Sequence, residues 1–152
     1  MIQRIQTVYL ALAVICLVLC ACLPIANLEP LAMGPSQSVY CLCVTAVEGK
    51  EASYGICPMF IMDIIAAVLA FLAIFKYKNR KTQMSMCICT MIILVAWYIV
   101  LGAIQMTLGN DAATLNFEWP VALPMVAIIF TFLARKWIQH DEKLVRAADR
   151  IR

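Results

Sequence analysis

Between Thr7 and Ala26 the chain runs TVYLALAVICLVLCACLPIA without a single charge. At about 1.5 Å per helical residue, such a run crosses a hydrocarbon core of ~30 Å. Three more apolar runs follow. The second covers about Pro58 to Phe75, with Pro58 where a first helical turn tolerates it. The third covers about Met84 to Leu108 and is ended by Gly109-Asn110-Asp111, and the fourth covers residues 120–134, entered through Trp119-Pro120. Charged residues make up 14% of the chain, apolar ones 64%, and the mean hydropathy is +0.90. Soluble domains carry about a quarter charged and about half apolar residues. The expected fold is an all-α membrane protein, a four-transmembrane-helix bundle forming a single membrane domain.

A basic turn separates the second and third runs. Phe75-Lys76-Tyr77-Lys78-Asn79-Arg80-Lys81-Thr82-Gln83 holds four of the twelve Lys and Arg and no acid. Four spans put both termini on one side, and the Lys/Arg bias of the short loops identifies that side as cytoplasmic. Arg4, the turn (residues 76–83) and the tail (residues 135–152) contain every Lys and Arg except Lys50. The loops 27–57 and 109–119 are then outside and hold the acids Glu29, Glu48, Glu51, Asp111 and Glu118. On this reading Lys76, Lys78, Arg80, Lys81, Arg135 and Lys136 set the topology and meet lipid headgroups. Trp119 and Trp137 bracket the fourth span as interfacial anchors. The net charge of +3 follows the membrane surface and does not form a nucleic-acid footprint.

A signal peptide competes for the first run, with Leu19-Cys20-Ala21-Cys22 as a lipoprotein cleavage box and Cys22 as the lipidated residue. The single basic Arg4 and a run longer than the ~7 to 15 residues of a signal core weigh against it. The tail spaces Trp137, Leu144, Ala148 and Ile151 along one helical stripe, and Glu142 and Arg146 form an i,i+4 pair. It continues the fourth helix as a basic amphipathic segment, either attracted to anionic headgroups or simply solvated. Its acids Asp141, Glu142 and Asp149 are candidate partners for Arg80 and Lys81.

The first outer loop predicts a small β-hairpin. Val39 to Thr45 is rich in strand formers, Glu48-Gly49-Lys50 is a turn signal, and Ala52 to Ile56 is the return strand. Cys41, Cys43 and Cys57 lie there, on the side where a Gram-negative periplasm permits disulfides. On a strand Cys41 and Cys43 share a face, so either could pair with Cys57; three free thiols is the other reading. Cys16, Cys20, Cys22, Cys87 and Cys89 lie inside apolar runs, where a thiol behaves as a small hydrophobe.

The opening Met1-Ile2-Gln3-Arg4-Ile5-Gln6-Thr7-Val8-Tyr9-Leu10, Phe75 with Lys78-Asn79-Arg80-Lys81-x-Gln83, and the closing Asp141-Glu142-Lys143-Leu144-Val145-Arg146-x-x-Asp149-Arg150-x-Arg152 carry a resemblance. The chain resembles a family of small four-span membrane proteins from Bacteroidota-type bacteria, catalogued as a domain of unknown function. The resemblance implies a bacterial inner-membrane location and no particular activity.

Asp63 is the one acid well inside a span, and an intramembrane ionisable residue is a functional hypothesis by default. Ala66, Ala67 and Ala70 share its helical face, a small-residue stripe that lets helices approach closely. Tyr98 and Gln105 on the third span are the expected hydrogen-bond donors to it. Such a site would handle a proton or cation; a plain interhelical contact is the alternative. Neither a Gly-rich phosphate loop nor a Ser or Cys beside a His is present. A quinone-linked disulfide oxidoreductase shares the four-span architecture, but the second outer loop has no Cys to relay electrons. The sequence therefore predicts a non-enzymatic membrane component without a cofactor, binding the bilayer and a protein partner but no nucleic acid. A small transporter or channel using Asp63 ranks second.

Overall fold

Four helices carry the apolar runs: α1 (Gln3–Cys22), α2 (Cys57–Phe75), α3 (Arg80–Leu108) and α4 (Leu123–Ile151). The computed structural model describes residues 3–30, 37–41, 44–46, 57–76, 79–108 and 113–151. All four helices are long and apolar enough to cross a membrane. The chain is thus a multi-pass membrane protein with the four-helix architecture its hydropathy predicts.

Each helix buries one narrow stripe. On α1 it is Gln6, Leu10, Ala13, Leu17 and Cys20; on α2 Met59, Asp63, Ala66, Ala70 and Ala73. Those of α3 (Gln83, Cys87, Thr90, Leu94, Trp97) and α4 (Ala127, Thr131, Ala134, Ile138) repeat the same alternation of four and three residues. That 3.5-residue average keeps a straight seam facing its neighbours only if the helices supercoil slightly left-handed, as in other four-helix bundles.

Alanines share the interior with a few large side chains such as Leu10, Leu17, Leu94 and Trp97, while many large ones face outward. Ala13, Ala66, Ala70, Ala73, Ala127 and Ala134 are buried, whereas Ile15, Ile61, Phe71, Ile92, Ile99 and Ile129 are exposed. In lipid, apolar transfer gives helices no reason to associate, so close backbone approach and dispersion hold the bundle together. The buried threonines are satisfied on their own helices. Thr90 Oγ1 donates to the Met86 carbonyl at 3.0 Å and Thr131 Oγ1 to the Ala127 carbonyl at 2.7 Å.

One end of the bundle is closed by a sheet larger than a hairpin. β1 (Pro24–Pro30) lies between β2 (Gln37–Tyr40) and β4 (Ala113–Phe117), with β3 (Val44–Ala46) outside β2, and every neighbour is antiparallel. The sheet therefore joins the α1–α2 and α3–α4 connections. Val39 to Thr45 is not the single strand expected: Val39 pairs with Val44, so the chain reverses between them. Cys41 leaves the strand there and inserts into the bundle end. The expected return strand, Ala52 to Ile56, lies outside the described residues.

Two helix ends also differ from expectation. α1 stops at Cys22 and not at Ala26, because Pro24 has no N–H to give and biases Leu23 towards extended backbone. Pro24 then opens β1, and a register shift between Pro24 and Ala26 bends the strand over the helix end. At the other end of the molecule the chain passes from α2 to α3 through Asn79. Its carbonyl accepts the first helical hydrogen bond, from Gln83 N at 3.0 Å, which puts a favoured residue at the N-cap.

Candidate functional site

The stripes place two polar groupings at opposite ends of the bundle. Beneath the sheet, the core cluster is Cys20, Ile25, Ala26, Val39, Cys41, Met59 and Trp97. Asp63 lies one helical turn from Met59 on the same stripe and is 1% exposed. Neither Oδ1 nor Oδ2 accepts a hydrogen bond from any described residue, and the buried Trp97 Nε1 likewise donates none. Asp63 also lies within electrostatic reach of the Cys20 thiol.

The donors expected for Asp63 are engaged elsewhere. Tyr98 Oη donates to the Val121 carbonyl at 2.7 Å. A residue step on a helix turns about 100°; with Trp97 facing the core, Tyr98 is carried round to the 3-10 turn Trp119–Ala122 that leads into α4. Gln105 is exposed, beyond the last buried position of the α3 stripe. It borders a space of about 10 Å3 shared with Ile25, Val39 and Ile104, no larger than one water needs.

The outer thiols divide differently from expectation. Cys41 is buried and free, and its Sγ lies 3.6 Å from the Cys20 carbonyl, to which it donates. Cys20 is likewise wholly buried and free, in the same cluster. Cys43, and the side chain of Cys57, lie outside the described residues. Spacing gave no hint of a contact between a thiol inside the first span and one in the loop.

At the opposite end the stripes turn polar. Gln6 and Gln83 are buried one turn beyond Leu10 and Cys87, which pack in one cluster with Ala134 and Ile138 of α4. Arg80 Nη2 pairs with Asp141 Oδ2 at 3.3 Å, which ties the start of α3 to the extension of α4 and makes one of the contacts expected between turn and tail. Gln6 Nε2, Arg80 Nη1 and Arg135 Nε are buried without a partner among the described residues. Of the other basic positions, Lys76, Lys81 and Lys136 are exposed, Lys136 Nζ standing 5.1 Å from the centre of the Phe132 ring, and Lys78 lies outside the described residues. Among the described residues no three His, Cys, Asp or Glu gather as a metal cage would require.

α4 is longer than a single crossing requires. Its 29 residues extend about 43 Å, well beyond a ~30 Å hydrocarbon core. Leu133, Lys136, Trp137 and His140 line an open groove of about 350 Å3 along one side of it, and Leu144 and Val145 beyond are about half exposed.

No curated protein matches this chain. Residues 2–151 match the family described as Domain of unknown function (DUF4293), and the protein belongs to that family.

Proposed function

We propose that the protein is a non-enzymatic membrane component that docks a partner protein through the cytoplasmic continuation of α4. One observation carries the reading: the stripe Leu133, Trp137, His140, Leu144 runs out of the apolar span on a helix braced by Arg80–Asp141, with Trp137 and Leu144 exposed. Exposed apolar residues beyond the lipid, on a stiff and anchored element, suit an interface better than a solvated extension. A photocrosslinking residue at Leu144, activated in native membranes, should yield one discrete protein adduct, with none at the lipid-facing Ile99. Equal, diffuse labelling at both positions would sink the reading.

The orientation belongs to the same proposal, with the sheet outside and both termini cytoplasmic in a bacterial inner membrane. Its support is the Lys/Arg bias of the loops. A reporter active only in the cytoplasm should work when fused at Lys78 and fail at Lys50.

A second reading rests on Asp63. A buried carboxylate and a buried indole N–H, both without a hydrogen-bond partner among the described residues, are costly to fold, and such sites mark proton or cation pathways in membrane proteins. It makes the protein a small transporter or channel. Ion flux into vesicles, abolished by Asp63→Asn at unchanged protein level, would favour it over the docking component.

A further inference from the structure

We propose that Cys20 and Cys41 are a disulfide pair, joining the outer end of α1 to the sheet. They are 21 residues apart in sequence, yet Cys41 Sγ reaches the Cys20 carbonyl at 3.6 Å and both side chains belong to one buried cluster. Both are wholly buried in the cluster that seats the sheet on the bundle, so neither is a thiol that happens to graze a neighbour on the surface. The same burial makes the bond a staple set during folding and not a turnover site: an attacking thiol has no approach to either sulfur once the sheet is seated.

The oxidant is an external disulfide, RSSR. Before the sheet packs, the Cys41 thiolate attacks it, forming a Cys41–SR mixed disulfide and releasing RS⁻, which takes up the proton Cys41 gave up. The Cys20 thiolate then attacks Cys41 Sγ, the Cys41–SR bond breaks, and the second RS⁻ leaves with the Cys20 proton. Two thiols are oxidised and RSSR is reduced to two RSH. The bond encloses β1 and β2 in one covalent loop with the end of α1, and it removes Cys41 from the two partners, Cys41 and Cys43, that loop spacing offered Cys57. In the cell it requires the outward placement of the sheet proposed above, because a reducing cytosol would keep the pair as thiols.

Peptide mapping tests it. The protein is alkylated in intact membranes and digested without reduction; separately, reduced protein is refolded in detergent with oxidised and reduced glutathione and mapped in the same way. A Cys20–Cys41 linked peptide is expected in both. Refolded protein with both thiols alkylated, or with Cys41 joined to Cys43 or Cys57, overturns the pair. A link after refolding but not in membranes leaves the pair standing and overturns the outward placement of the sheet. Protein refolded with its thiols kept reduced should melt roughly 5–10 °C below protein refolded oxidised, and Cys20→Ser should show no such difference; equal differences in both would also overturn the proposal.

Discussion

The two ends of the bundle handle polar groups in opposite ways. Beneath the sheet, apolar packing surrounds a single carboxylate that has no partner among the described residues, and the loops are folded down as a lid. At the other end, Gln6 and Gln83 replace apolar residues in the stripes, an ion pair crosses from α3 to α4, and the last helix runs on past its neighbours. The contrast teaches that one helical repeat, carried without interruption along all four helices, supports a sealed end and an open one. The difference lies in the few stripe positions that are not apolar and in what the loops do.

The largest effect expected from breaking this contrast is at Trp97, the bulkiest fully buried side chain, on which the sealed end rests. Trp97→Ala should cost about 3 kcal/mol in a detergent unfolding titration. A loss below about 1 kcal/mol would mean that the sheet end is not closed by packing.

Next comes Asp63→Leu. Removing an unpartnered carboxylate from an apolar layer should stabilise the protein by about 1–2 kcal/mol, because a desolvation cost disappears and no hydrogen bond among the described residues is lost. Destabilisation of that size would reveal a contact for Asp63 and bring the two ends closer in character. The smallest effect is expected at the open end. Arg80 and Asp141 remain partly exposed, so Asp141→Asn should cost only about 1 kcal/mol globally. Its mark should be local, as faster amide exchange over residues 141–151 with no change in α1.

Much of this was legible in the sequence, for reasons that can be traced to residues. Uncharged length announces a span whatever surrounds it, so all four helices are visible before any packing is known. The brace between turn and tail was legible as opposite charges on the same proposed side of the membrane, although only Asp141 could be matched to Arg80 once distances were known. Strand pairing was not legible. Nothing in Pro24–Pro30 alternates as a half-buried strand should, and its partner Ala113–Phe117 is supplied by the α3–α4 connection. Pairing of that kind is a tertiary property that no local window contains. Tyr98 was misplaced for a related reason: the sequence places Trp97 and Tyr98 side by side, and only packing decides which of the two takes the core.

The order of strands in the sheet sets a schedule for the protein's birth. β1 emerges directly after the first helix and can find β2 and β3 at once, from the same loop. Its other edge must wait for β4, and the closing hydrogen bond from Asn27 Nδ2 to Glu118 Oε1, at 2.6 Å, spans 91 residues of sequence. Two further helices must be threaded through the bilayer in between. A chain stalled before Phe117 thus carries a bare strand edge next to an unseated helix end, the state in which a quality-control protease would find its easiest substrate.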